Sequence, residues 1–109
     1  MNDRIERVSR NEALFRSLNE RIEDVSKRFL EPTPLSIVCE CGNGDCTERI
    51  TVGTAAYERV RADGATFFVI PGHEIPETET VVRSEEHYYV VRKDPGRPEE
   101  LAEELDPRS

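Results

Sequence analysis

The chain has 109 residues, of which 36% are hydrophobic and 35% are charged, and its formal net charge is −8. This length fits one domain, and so small an apolar fraction leaves only a thin core. Domains of this kind often depend on a metal, a disulfide or a partner chain for stability. The negative charge argues against a partner that is nucleic acid or an anionic membrane surface, because both carry charge of the same sign.

The acidic charge is unevenly distributed along the chain. Residues 1–31 carry seven acidic and seven basic side chains, whereas the remaining residues carry sixteen acidic and eight basic ones. This difference indicates regions of different character. We divide the chain into an amphipathic helix at 1–31, an α+β domain at 35–94, and a short C-terminal helix and tail at 95–109.

The sequence shows no sign of export or of membrane insertion. The opening residues, MNDRIERVSR, lack the apolar stretch of a secretory signal. No segment is apolar for long enough to span a bilayer. We therefore expect a cytoplasmic protein.

Residues 4–30 are predicted to form one long amphipathic helix. Asp3 and Glu6 have the spacing of a capping box, and Pro32 and Pro34 end the helix. Its apolar residues recur at helical intervals, and the later ones follow a heptad rhythm. This apolar stripe is the predicted partner-binding surface and consists of Val8, Phe15, Leu18, Ile22, Val25 and Phe29.

Two interpretations of the stripe are open. A helix of this size would be about 40 Å long, which exceeds the expected width of the remaining domain. The stripe would then contact a second copy or another protein, as a coiled coil or a helix in a groove. Alternatively, residues 18–29 pack on the chain's own sheet while residues 1–11 fray.

The rest of the sequence predicts an α+β fold with a small, mostly antiparallel sheet. Proline, glycine and β-branched residues place the boundaries of its elements. We expect strands at 35–39 and 48–52, a short helix at 55–62, a central strand at 66–70, a hairpin formed by 81–83 and 87–93, and a last helix that begins at Pro98 and ends before Pro107.

The clearest motif is a cluster of cysteines, Cys39-Glu-Cys41-Gly-Asn-Gly-Asp-Cys46. Cys41 and Cys46 have the spacing of a zinc knuckle, and the alternation of a strand places Cys39 and Cys41 on the same face. We expect Gly42 and Gly44 to adopt positive φ angles that turn backbone N–H groups toward sulfur. An odd number of closely spaced cysteines indicates metal ligands rather than a disulfide framework. The cluster therefore predicts a zinc site, and iron is a second possibility.

A tetrahedral zinc site needs a fourth ligand. We favour His73, which follows Pro71-Gly72 on a turn that can fold back over the cysteine loop. His87, a nearby carboxylate such as Asp45 or Glu74, and an open water position are the alternatives. Three thiolates and one imidazole make a closed, electron-rich shell, which favours a structural role over catalysis.

Several segments together resemble a group of small uncharacterised bacterial proteins of about this length. They are RNEALFRSLNERIEDV, VCECGNGDCTERI, AAYERVRADGATFFVIPGHE and the closing EELDPRS. The resemblance covers nearly the whole chain, and its most specific parts are the three-cysteine motif and Pro71-Gly72-His73. It favours His73 over His87 as a ligand and implies no particular activity.

These observations favour a zinc-stabilised, non-enzymatic interaction module of a bacterial cytoplasm that acts through its N-terminal helix. Two alternatives come from other classes of protein. The first is a thiol-based redox or metal sensor that uses Cys39, Cys41 and Cys46. The second is a small zinc enzyme with an open coordination position near His73 and Glu74.

Overall fold

The computed structural model describes residues 3–28 and 34–108, and it confirms the α+β class. Its elements follow one another in the predicted order. They are α1 (Asp3–Arg28), β1 (Leu35–Val38), β2 (Arg49–Val52), α2 (Thr54–Arg61), β3 (Thr66–Val69), β4 (Glu79–Ser84), β5 (Tyr89–Lys93) and α3 (Arg97–Glu104). Leu30 and Phe29, at the end of the predicted first helix, lie outside the described residues.

The strands form two antiparallel sheets rather than one. The first pairs β1 with β2, and Ile37 lies opposite Ile50. The second has the order β3-β5-β4, with a register shift between Val81 and Arg83 in β4. The predicted hairpin of residues 81–83 and 87–93 is present as β4 and β5, although β4 begins earlier, at Glu79.

The prediction that residues 66–70 form a central strand is wrong in one respect. β3 lies at the edge of its sheet and β5 is the middle strand. Every residue of β3 is nevertheless buried, because the segment around Glu40 covers its outer edge. The backbone N–H of Glu40 donates to the carbonyl of Phe68 at 2.7 Å. The apolar sequence of β3 therefore predicted that the strand is buried, but it did not predict that the strand lies at the edge of the sheet.

One apolar core joins the two sheets. Tyr57 of α2 stacks on Phe68 of β3 with ring centroids 5.7 Å apart, and Tyr88 meets Phe68 edge to face at 5.4 Å. Cys39 and Cys41 belong to the same buried cluster. Two of the four candidate metal ligands are therefore anchored in the core.

The face of α1 that packs on this domain is polar. Its most buried members, at helical spacing, are Ser9, Glu12, Ala13, Arg16, Asn19 and Glu23. Arg16 is 1% exposed, donates to the carbonyls of Gly64 and Ala102 at 2.7 and 2.8 Å, and lies over the ring of Phe67. Docking of α1 thus depends on hydrogen bonds and ion pairs.

The predicted apolar stripe runs along the border of this contact. Val8, Phe15 and Ile22 are half-buried, whereas Leu18 and Val25 are 44% and 49% exposed. The alternative in which residues 18–29 pack on the sheet therefore fails for Leu18 and Val25. No helix in the described part of the chain is long and apolar enough to cross a membrane.

Candidate metal centre

The structure brings the four predicted metal-ligating side chains together. The Sγ atoms of Cys39, Cys41 and Cys46 and one ring nitrogen of His73 all lie within 4.8 Å of one another. Cys39 and Cys41 are buried, and Cys46 and His73 are half-buried. Such a group of soft and borderline donors could hold a metal ion.

The distances within the group match a small tetrahedral ion. The Nδ1 atom of His73 lies 3.6 Å from Sγ of Cys39 and 3.7 Å from Sγ of Cys46. Zinc bonds of about 2.3 Å to sulfur and about 2.0 Å to nitrogen place such atoms about 3.6 Å apart at a tetrahedral angle. The side chains therefore have nearly the spacing that zinc requires.

Backbone hydrogen bonds fix the cysteine loop. The N–H of Cys39 donates to the carbonyl of Glu48 at 3.0 Å, which continues the pairing of β1 with β2. The N–H of Cys46 donates to the carbonyl of Asn43 at 3.0 Å and closes the turn of the loop. The N–H of Ile70 donates to Sγ of Cys39 at 3.2 Å. This last bond stabilises negative charge on sulfur, as second-layer donors do around metal thiolates.

His73 reaches the cysteines through a tight turn after β3. Gly72 has a φ of 97°, a conformation that favours glycine, and the N–H of His73 donates to the carbonyl of Ile70 at 2.8 Å. Among the described residues the group contains none of the other proposed fourth ligands. His87 and Asp45 are exposed, and the carboxylate of Glu74 accepts the N–H of Gly72 at 2.7 Å.

The thiols share protons unequally. The pKa of Cys41 falls to about 5, because the side chain of Cys39 hydrogen-bonds to it and the backbone of Asn43 also contributes. The same bond, followed by burial, raises the pKa of Cys39, and burial raises that of Cys46. One thiolate is thus stabilised by its neighbours, which is the form that a metal binds.

Glu40 is the residue that sequence reasoning missed. It lies between Cys39 and Cys41, and strand alternation points its side chain away from theirs. Its carboxylate is fully buried and binds both terminal nitrogens of Arg61, at 2.7 and 2.8 Å. It also accepts Nδ2 of Asn19 at 2.7 Å and the N–H of Phe68 at 3.0 Å.

The hydrogen bonds of Glu40 fix the backbone that carries Cys39 and Cys41. Asn19 also bonds the backbone of Val38 in both directions, each at 2.8 Å, so α1 grips the strand just before Cys39. Arg61 lies over the rings of Tyr57 and Phe68. The sequence offers one signal for the Glu40–Arg61 pair, namely a glutamate that stands between two cysteines predicted to be metal ligands.

The cysteine loop also contacts α1 directly. Nδ2 of Asn11 donates to the carbonyl of Gly42 at 2.9 Å. A Cβ atom at Gly42 would approach Cγ1 of Val8 to 2.5 Å, so this position requires glycine for close packing. The predicted positive φ of Gly42 and Gly44 is wrong, since the described glycines with positive φ are Gly72 and Gly96.

A cavity of about 350 Å³ opens beside the centre. It reaches Cys41 and His73 and is bordered by Arg4, Val8 and Ile75. Small solutes therefore have a route to one side of the cluster. The opposite side is closed by the core.

Comparison with protein-family models, with curated proteins and with solved structures finds no significant match to this chain. The resemblance to small bacterial proteins stays a prediction.

Proposed function

We propose that the chain is a zinc-stabilised, non-enzymatic interaction module of the bacterial cytoplasm, which acts through α1. The observation that carries the zinc proposal is the convergence of three thiols and one imidazole nitrogen within 4.8 Å. A shell of this composition favours zinc and, once filled, leaves no open position for a substrate. Free thiols of this kind persist in a reducing compartment.

The proposed ion links parts of the fold that are distant in sequence. Cys39 and Cys41 follow β1, Cys46 precedes β2, and His73 follows β3. Binding energy in small zinc domains appears directly as folding energy, of order ~10–16 kcal/mol. A chain with so thin a core would depend on that contribution.

The proposal that α1 binds a protein rests on its exposed residues. Leu14, Leu18 and Val25 are 66%, 44% and 49% exposed, and they make up half of the large apolar residues that are exposed in the described part of the chain. Clustered apolar exposure of this kind is typical of an interaction surface. Nucleic acid and membranes are not proposed as partners.

The two histidines provide a matched test of the centre. We expect His73→Ala to lose most of the bound zinc and to lower the unfolding temperature, whereas His87→Ala, at an exposed site outside the group, should keep both. Native mass spectrometry with and without a chelator reads metal identity, metal count and oligomeric state together. One tightly bound zinc in the His73→Ala variant would contradict the assignment, and a metal-free folded wild-type chain would remove its basis.

A thiol-based sensor is the second candidate, favoured by the half-buried Cys46 and by the cavity that reaches Cys41. In such a sensor, hydrogen peroxide oxidises one thiolate to a sulfenic acid. The sulfenic acid then condenses with a second thiol to form a disulfide and water. The disulfide no longer ligates zinc, and the ion is released. Zinc that stays bound during treatment with dilute peroxide would contradict this candidate.

A further inference from the structure

The exposed side of α1 carries a row of arginines and aliphatic residues. Spaced by three or four positions, the members of this basic row are Arg7, Arg10, Leu14, Leu18, Arg21 and Val25. No ion pair in the described ranges, 3–28 and 34–108, involves Arg7, Arg10 or Arg21. A chain whose net charge is −8 therefore presents an unneutralised positive row on its longest helix.

The outer side of α3 has the opposite character. Glu100, Glu103 and Glu104 are exposed there, and Leu105 is 40% exposed beside them. Arg97, whose guanidinium lies 3.6 and 3.4 Å from Glu100 and Glu104, neutralises one of the three charges. We refer to residues 100, 103, 104 and 105 as the acidic row.

The two rows lie next to each other because α3 runs along α1 in the same direction. Arg97, at the start of α3, lies 3.5 Å from Glu6, and the carbonyl of Ala102 accepts Arg16 at 2.8 Å. Arg108, just after α3, lies 2.7 Å from Glu20. One surface of the molecule thus carries a basic row and an acidic row side by side.

Two adjacent rows of opposite charge form a self-complementary patch. A two-fold axis between them places the basic row of one copy on the acidic row of the other, and the same contact then forms a second time. The exposed leucines of both rows would meet at this contact and leave water. We infer that the occupant of the α1 surface is a second copy of this chain, in a two-fold dimer built from reciprocal α1–α3 contacts.

This dimer differs from a coiled coil of two α1 helices. Pairing two basic rows would bring Arg7, Arg10 and Arg21 of one copy against the same residues of the other, and like charges in contact oppose association. The reciprocal α1–α3 arrangement instead places opposite charges together at both of its contacts. The inference rests on the proposed role of α1 as an interaction surface, but it does not depend on the identity of the metal.

Charge reversal provides the test, with zinc-loaded protein studied by sedimentation velocity over a range of concentrations. We expect Arg7→Glu/Arg10→Glu to raise the dimer dissociation constant roughly tenfold or more, because each change acts at both contacts. Glu103→Arg/Glu104→Arg should do the same. The control, Arg59→Glu/Arg83→Glu, makes an equal charge change at exposed positions on α2 and β4 and should leave dimerisation unchanged.

Mixing the two reversed variants gives the decisive result. Each variant repels itself, but a mixed pair has complementary charges at both contacts, so dimers should return in the mixture. Circular dichroism and the zinc content of each variant establish that it is folded. Recovery is possible only for folded chains, so it also excludes misfolding as the reason for dissociation.

Three results would overturn the inference. They are a wild-type chain that stays monomeric with zinc bound, reversed variants that dimerise like the wild type, and a mixture that does not recover. Pairing of Arg7→Glu/Arg10→Glu with the wild type that is as strong as its pairing with Glu103→Arg/Glu104→Arg would indicate α1–α1 pairing instead, because both partners carry the same α1. A zinc-bound monomer contradicts only the dimer, whereas a metal-free dimer contradicts only the zinc proposal.

Discussion

Two buried charge clusters fasten α1 to the domain, and they are built differently. In the Glu40 site, one carboxylate is surrounded by donors from Arg61, Asn19 and the backbone of Phe68. In the Lys93 site, the ammonium of Lys93 meets two carboxylates, those of Glu12 at 3.0 Å and Glu79 at 2.9 Å. All three side chains of the Lys93 site are 2% exposed or less.

The balance of charge separates the two sites. At the Glu40 site one carboxylate faces one guanidinium and several neutral donors, so its hydrogen bonds are satisfied. At the Lys93 site two anions compete for one cation in a buried space, which favours the uptake of a proton. Burial, with a smaller contribution from the charge of Glu79 and against the opposing effect of Lys93, raises the pKa of Glu12 to about 8.

Two buried ion pairs that look alike therefore hold α1 on the domain in different ways. The Glu40 site is expected to hold α1 and the cysteine segment through a fully satisfied set of hydrogen bonds. The Lys93 site is expected to hold α1 in a way that depends on pH. Three predictions test this difference.

The largest effect is expected from Glu40→Ala. This change leaves the guanidinium of Arg61 buried without its partner, which costs about 3–5 kcal/mol in comparable pairs. Because Glu40 also fixes Cys39 and Cys41, zinc should dissociate more readily in competition with a chelator. Urea unfolding and chelator titration measure the two effects.

Glu48→Ala is the matched control for Glu40. Glu48 is exposed, and its structural contribution is a backbone carbonyl that accepts Cys39, which alanine retains. Equal losses of stability and zinc affinity in the two variants would show that the buried carboxylate has no special role.

A smaller effect, with a defined sign, is expected from pH. The pKa of Glu12 rises from 4.5 to about 8 on folding, so the folded chain keeps a proton that the unfolded chain releases. The stability that this group contributes is complete below pH 4.5 and is lost as pH rises through about 8. In urea unfolding of the zinc-loaded protein, the loss of this contribution should lower the free energy of unfolding at pH 8 relative to pH 6, and it opposes the rise with pH that zinc ligation by thiolates contributes.

Glu12→Gln should remove this contribution, since glutamine does not titrate, so its free energy of unfolding should rise more from pH 6 to pH 8 than that of the wild type. Some slope should remain from Glu23, whose pKa burial raises to about 7 with a contribution from Glu58. The exposed carboxylate of Glu86 provides a control, and Glu86→Gln should keep the wild-type slope. An unchanged slope in Glu12→Gln would contradict the proposed protonation of the Lys93 site.

The smallest effect is expected from Asn11→Ala. This change removes the partly buried hydrogen bond from Nδ2 of Asn11 to the carbonyl of Gly42. A bond of this kind contributes about 1 kcal/mol to the free energy of unfolding. Zinc should still bind, because the Glu40 site continues to hold the cysteine segment. Ser17→Ala on the same helix should change the unfolding free energy less, and a larger loss than in Asn11→Ala would contradict the contact with the loop.

Much of the fold could be predicted from sequence. Proline and glycine placed the boundaries of the elements, and the four candidate ligands were identified from the spacing of their cysteines and from the Pro-Gly-His turn. These signals are local, because each depends on residues that are close together in the sequence. The position of β3 was not predictable in this way, because Glu40 buries its edge from elsewhere in the sequence.

The inner face of α1 was also not predictable from hydrophobic periodicity. One of the two interpretations of the apolar stripe had Leu18 and Val25 pack on the sheet, but Arg16, Asn19 and Glu12 are the residues buried there. Periodicity detects apolar burial and does not register a polar face whose partners lie far along the chain. Only the tertiary structure places Lys93 beside Glu12 and Glu40 beside Asn19.

The long separations within these contacts have a consequence for synthesis on the ribosome. Glu12 and Lys93 are 81 positions apart, and Arg16 and Ala102 are 86 apart. At roughly 5–20 residues per second, α1 waits on the order of ten seconds before its binding surface exists. Because the side that it will bury is polar, the nascent helix can wait in water without presenting that side to chaperones or to other chains.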